Sequence, residues 1–358
     1  MAEILNAHGA KNDIFLMART PHDFASDADL LAFVRRLCDR QGPFGGDGIY
    51  LYDPGPPVPQ AWFFNPDGSA AEFCGNGMRC LGRVILDLRG QDAVTIRSGP
   101  REYKVRRGPT TPGGVRQVRL EHPPVDFAPL DPVVAGLSPA VEVALPELDP
   151  ALAFTAVTIP NPHLIALVDK YVESDLVAMG KQVAARPERF PAGANLSVLL
   201  PLAPHEVFVR TFERGAGLTA SCGSGMAAAR AVYSRLGRAD PGREVVVRNA
   251  GGVATASLLV RDGQWFPVLQ GNATFVYRAD VDPAALARIR PTGREPAPRE
   301  PAPREPFPDE IRTYAAADEE NAARLRAAGI ETAVPDLPTA NPIGGPGRVG
   351  RNRLPGCP

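Results

Sequence analysis

The pentapeptide Cys-Gly-x-Gly-Met occurs twice, at Cys74–Met78 and Cys222–Met226, and each copy opens a run of helical spacing that closes at a glycine, Gly90 or Gly237. Such a duplicated helix entry predicts two halves of similar build, each organised about one helix that starts at a cysteine. The surrounding segments read as strands. Ala93 to Arg107 alternates like a hairpin around Ser98-Gly99-Pro100, and Val115 to Leu120, Ala156 to Ile159 and Glu206 to Phe212 are short apolar runs. Glu244 to Arg248, Val253 to Val260 and Ala273 to Arg278 continue the pattern, while Asn6 to Ala18 reads as a loop entering an apolar strand. Asp27 to Arg40 has helical spacing through Leu30, Leu31, Val34 and Leu37. Strands outnumber helices in both halves. The expected fold class is α+β, with two pseudo-symmetric domains, each a mostly antiparallel mixed sheet wrapped around a central helix.

A chain of 358 residues is long enough for two such cores. With 22% charged residues and a net charge of −1, it offers no electrostatic argument for nucleic acid or an anionic membrane as partner. No apolar run approaches the roughly 18 residues that would read as a membrane span, and Met1 to Asp13 lacks the apolar core of a signal peptide. Five cysteines without regular spacing argue against a secreted disulfide framework and for a reducing cytoplasm. Proline is concentrated late: Arg294-Glu295-Pro296-Ala297-Pro298 repeats as Arg299 to Pro303, and Arg304 to Pro308 is an altered third copy. That segment reads as an extended spacer, followed by one modest helix over Asp309 to Gly329 and a Gly- and Pro-rich end. Residues 281–358 are therefore expected to be a Pro-rich, disordered and dispensable tail.

The chemistry begins at the two motif cysteines. A free thiol has a pKa near 8.5, and the unpaired N–H groups of a helix start favour its anion. The glycines after each cysteine let a ligand approach the backbone, where those N–H groups can hold a carboxylate. Two such thiols facing one cleft suit a reaction that removes a proton from one face of a carbon and returns one to the other. Glu213-Arg214, at the end of a predicted strand before Cys222, offers a carboxylate for an ammonium group and a planar fork for a carboxylate. A metal site is not indicated: Cys74 and Cys80 have no neighbouring cluster of ligand spacing, Cys38 falls on the apolar face of its helix, and Cys357 lies in the tail.

Taken together, Asn65 to Cys80, Glu213 to Gly225, Lys11-Asn12-Asp13, Gly45-Gly46-Asp47-Gly48 and Asn161-Pro162-His163 resemble the diaminopimelate epimerase family, over about Ile4 to Tyr277. The resemblance implies an N-terminal domain at 1–116, to which a last strand near 270–280 returns, and a C-terminal domain at 117–269. It implies that Cys74 and Cys222 are the two catalytic bases, tuned by His163 and Glu213. It also implies that Asn12, Asn65, Asn161, Asn195 and Arg214 hold the non-reacting end of an amino-acid substrate, with Glu213 beside them. Gly75, Asn76, Gly223 and Ser224 would then grip the reacting carboxylate. No cofactor is implied, and by the same resemblance a homodimer is expected. Lys11 stands where many relatives have glycine, Pro160 replaces a glycine, Ser224 replaces a threonine, and Gly48 stands where some relatives carry a polar side chain. Two rivals remain: a racemase of another amino acid such as histidine, and a thiol-redox or amino-acid-binding protein in which Cys74 and Cys222 form a regulatory disulfide.

Overall fold

Alternating apolar residues build most of the chain into one long hydrogen-bonded ribbon of strands that curls twice, each time around a helix. A computed structural model describes residues 1–288 and 304–332. In chain order the first elements are β1 (Ala2–Gly9), β2 (Asn12–Met17), α1 (Asp27–Cys38), β3 (Gly48–Asp53), β4 (Gln60–Phe64), β5 (Ala70–Ala71), α2 (Gly75–Arg89), β6 (Ala93–Ser98), β7 (Arg101–Arg107) and β8 (Gln117–Glu121). The second half contains β9 (Val143–Leu145), β10 (Asp149–Ile159), β11 (Asn161–Leu167), α3 (Glu173–Ala184), β12 (Asn195–Ala203), β13 (Glu206–Glu213), β14 (Gly217–Leu218) and α4 (Gly223–Arg235). It ends with β15 (Val245–Asn249), β16 (Gly252–Arg261) and β17 (Gln264–Asn272). After these come β18 (Thr274–Val281), α5 (Pro283–Ala287), β19 (Glu305–Pro306) and α6 (Pro308–Ala327).

β18 returns to pair antiparallel with β1, which forms a hairpin with β2; β2 lies parallel to β3, and β4 parallel to β6. The meander β6–β7–β8 then joins β17, and that ladder links the two halves edge to edge. From β17 the ribbon continues through β16, β15, β13, β12, β11 and β10. The hairpin predicted at Ser98-Gly99-Pro100 is present, with Ser98 opposite Arg101.

Each curled half closes on its motif helix. Met78, Cys80, Leu81, Ile85 and Leu86 of α2 are fully buried against strands of the first half, and burial of this kind contributes roughly 1.5–3 kcal/mol per large apolar side chain. Gly82 lets β7 come in close, since a Cβ there would stand 2.4 Å from Cγ1 of Val105. In α4 the run Ala227, Ala228, Ala229 and Ala231 is buried, small side chains on a helix enclosed by the strands of its half. α2 ends at Gly90 in the left-handed conformation, φ 60°, as a C-terminal glycine allows.

Two expectations need correction. Asn6 to Ala18 is not a loop leading into a strand but the body of the β1–β2 hairpin, because Asn6, His8 and Asp13 are buried beside apolar Ile14 and Phe15. The tail expectation fails for 281–288 and 304–332: Val281 closes β18, and α5 buries Leu286 in the core of the first half. The helix predicted over Asp309 to Gly329 exists, but it docks on the body: Arg83 of α2 grips Glu310 with two bonds of 2.6 Å, Asn321 donates to the Asn249 carbonyl at 3.1 Å, and Leu325 and Ile330 enter the core of the second half. The rest of the expected tail, 289–303 and 333–358, lies outside the described residues.

Candidate active site

Each motif cysteine occupies the N-cap of its helix, and each sulfur accepts from a backbone N–H three residues on: Gly77 at 3.5 Å for Cys74, Gly225 at 3.3 Å for Cys222. The two helix starts face one another. A Cβ on Gly223 would lie 3.5 Å from Cα of Gly75, so glycine at this crossing permits the close approach. Asn76 donates to the Ser221 carbonyl at 3.0 Å and accepts from Arg79 at 2.9 Å, tying the first turn of α2 to the loop that carries the second thiol. Both cysteines line one cavity of about 1520 Å³.

The other predicted site residues converge on it unevenly. Asn12, Asn65, Gly75, Asn76, Asn161, Glu213, Arg214, Gly223 and Ser224 all line the cavity. Asn12 accepts from the Cys74 thiol at 3.3 Å and is held from behind by Asp47. Asn161 donates to Ser224, whose hydroxyl lies 3.6 Å from the Cys222 sulfur. Glu213 accepts from Thr219 and lies within hydrogen-bonding range of Cys222. Two residues sit behind the wall. Asn195 is buried and accepts from the Arg214 backbone N–H at 2.9 Å, so it orients Arg214. His163 is buried and paired with Asn161 at 3.2 Å. Lys11 lines the cavity, yet its ammonium is committed to Asp318 at 2.8 Å; Gly48 has φ 151° and meets Phe63 and the Phe64 carbonyl, so backbone alone occupies that position.

The thiols reverse one expectation. Helix N–H groups do lower their pKa, but burial outweighs them: Cys74 is pushed up to about 11, with the Glu213 charge adding to the rise, and Cys222 is raised well above its ordinary value by burial and then Glu213. Burial also raises the Glu213 carboxyl, against the opposing bonds from Thr219 and Cys222. His163 is lowered to about 3 by burial, helped by His122 and Arg214, and is a neutral imidazole. Burial thus favours the protonated form of both sulfurs.

Two contributors were invisible in the sequence. Arg79 is fully buried and braces Asn76 together with the Asn272 carbonyl at 3.3 Å. His122 is buried behind the first motif, its Cε1 3.6 Å from where a Cβ on Gly75 would stand, with burial holding it neutral. A lone arginine in a helix and a lone histidine before two prolines carry no signal of such a role. Among the described residues no cluster of three or more His, Cys, Asp or Glu could hold a metal ion, and no helix is long and apolar enough to cross a membrane.

Residues 155–276 match the family model described as diaminopimelate epimerase. The chain is 32% identical over 280 residues to the diaminopimelate epimerase of Enterococcus faecalis, covering 75% of this chain and 86% of that protein. It is 34% identical over 285 residues to the diaminopimelate epimerase of Listeria innocua, covering 76% and 86%. The chain belongs to the diaminopimelate epimerase family. As a member of that family it is an isomerase of the epimerase type. Its fold is shared more widely: a hydroxyproline epimerase from Agrobacterium vitis superposes with a TM-score of 0.55 at 17% identity, covering 78% of this epimerase and 90% of that chain.

Proposed function

We propose that this epimerase interconverts LL- and meso-2,6-diaminopimelate by transferring the α-proton between Cys74 and Cys222, in the supply of lysine and peptidoglycan precursors. The observation that carries the reading is the pair of cysteine-capped helix starts meeting across one cavity that also holds Glu213, Arg214, Asn12, Asn65 and Asn161. One sulfur, as thiolate, takes the α-hydrogen and becomes S–H. The electron pair left on carbon delocalises into the adjacent carboxylate, where the N–H groups of Gly75, Asn76, Gly223 and Ser224 stabilise the added charge. The opposite S–H then delivers its proton to the other face and becomes the thiolate, so each turnover inverts the carbon and exchanges the roles of the thiols.

Because burial favours the protonated form of both thiols, forming the thiolate calls for a neighbouring base. Glu213 has the position to take the Cys222 proton, since its raised carboxyl lies against that sulfur. His163, through Asn161 and Ser224, orients the same side. Arg214, set by Asn195, and the side chains of Asn12, Asn65 and Asn161 supply a fork and short donors for the distal amino-acid end, a substrate with two carboxylates. The proposal assigns residues 1–116 with β18 to one domain and 117–269 to the other, and places the enzyme in the cytoplasm as a homodimer. The test is incubation with LL-diaminopimelate, histidine and proline at equal concentration, followed by chiral separation. Conversion of diaminopimelate alone supports the reading; faster inversion of histidine would reassign the substrate.

A further inference from the structure

The β1–β2 hairpin turns on Ala10 and Lys11, with Gly9 opposite Asn12. Both turn residues have positive φ, 53° and 63°. A two-residue turn of this hand is normally built from Asn-Gly or Asp-Gly, because other L side chains are strained there. Neither residue here relieves that strain, so neighbouring structure must hold the turn. Part of the hold comes from the body: the Ala10 N–H donates to Asn272 Oδ1 at 2.7 Å. The Lys11 N–H donates to His8 Nδ1 at 3.3 Å, and α6 adds further support. The Lys11 ammonium, almost fully buried, pairs with Asp318 at 2.8 Å, and the Tyr314 ring stands edge-on to His8 at 4.4 Å while its hydroxyl donates to the Gly251 carbonyl.

The residue after this turn is Asn12, the acceptor of the Cys74 thiol. The contacts thus form a continuous series from α6 through Asp318, Lys11 and Asn12 to the first sulfur. α6 is itself anchored on both sides of the cavity, by Arg83 to Glu310 in the first half and by Arg324 to Glu206 at 2.7 Å in the second. We propose that α6 is a positioning element of the catalytic site, in which Asp318, through Lys11, holds the strained Ala10–Lys11 turn that presents Asn12 to Cys74. The proposal rests on the reading of Cys74 as an acid/base group. Asp318 acts through other residues and touches no substrate.

The experiment uses the full chain. Asp318→Ala should lower kcat for diaminopimelate by about tenfold or more with a smaller change in KM. It should also speed iodoacetamide alkylation of Cys74 several-fold, because the thiol loses a fixed acceptor, and leave Cys222 unchanged; Asp318→Asn should move both readouts the same way by less. Adding Lys11→Gly to Asp318→Ala should recover activity to within about threefold of the parent, since glycine takes a positive φ without strain. Adding Lys11→Ala should not, although it removes the unpaired ammonium equally well. Loss of melting temperature in Asp318→Ala with kcat and Cys74 alkylation unchanged would overturn the proposal, as would equal rescue by alanine and glycine. Should the parent fail to invert diaminopimelate, the proposed substrate falls, and the alkylation of Cys74 still decides the role of Asp318.

Discussion

Replacing Glu213 by Gln separates the two electrostatic influences on the thiols. Burial is the first cause of their raised pKa and the Glu213 charge a lesser one, second for Cys222. Cys74 at about 11 rather than 9.0 corresponds to about 3 kcal/mol disfavouring the thiolate. At pH 8 that leaves on the order of one Cys74 in a thousand ionised, so alkylation in the empty enzyme should be roughly 100-fold slower than for a free thiol and should rise about tenfold per pH unit. Glu213→Gln should accelerate both alkylations only modestly, Cys222 more than Cys74, because the larger burial effect remains. Turnover should nevertheless fall about 10²-fold or more, since the amide cannot accept the Cys222 proton. The assay is iodoacetamide labelling from pH 7 to 10 with peptide mapping, beside epimerisation rates. Native thiols that label as fast as glutathione at pH 8 would refute the burial argument, and unchanged turnover in Glu213→Gln would refute the role given to the carboxylate.

Three further outcomes follow from polar and charged side chains. His8, His122 and His163 are each held near a pKa of about 3 by burial, so below 6.5 the unfolded chain binds protons that the folded chain does not, and stability falls with pH through that window. At pH 5 the three should cost about 6 kcal/mol, while Asp13, raised to about 7, returns about 3; a denaturant midpoint that does not fall between pH 7 and 5 would contradict this. Arg79→Met strips partners from Asn76 and the Asn272 carbonyl and should destabilise by about 2–4 kcal/mol in urea unfolding, whereas a surface-like change under 0.5 kcal/mol would show the contacts to be idle. Arg214→Lys keeps the charge but loses the planar fork, and should raise KM for diaminopimelate about tenfold or more; an unchanged KM would remove Arg214 from the distal site.

What could be read in advance follows the range of the interactions. The two Cys-Gly-x-Gly-Met helix entries are local signals, and both appear as N-caps at the expected residues, as does the hairpin at Ser98-Gly99-Pro100. The strands with clean alternation, such as Glu206 to Phe212, are also in place. β11, β12 and β17 escaped because their neighbours bury both faces or carry prolines, which blurs a period of two. The turn at Ala10 and Lys11 carries no Asn-Gly to announce it. The docking of α6 was equally silent: its helix is locally polar, and what holds it are Arg83, Lys11, Asn249 and Glu206, all distant in sequence. The direction of the thiol shift belongs to the same class, because a helix start is visible locally and burial is not.

The two-thiol account is tested most directly by following isotope in the first few per cent of turnover. LL-diaminopimelate is incubated with the enzyme in deuterium oxide, and both the meso product and the unconverted LL substrate are recovered and weighed by mass spectrometry. With separate groups on the two faces, the product should carry one deuterium at the inverted carbon while the remaining substrate stays protiated, because the thiol that donates has already exchanged with solvent. Product that largely keeps its original hydrogen would mean that one group carries the proton across both faces, and would contradict the assignment of Cys74 and Cys222 as an opposed pair.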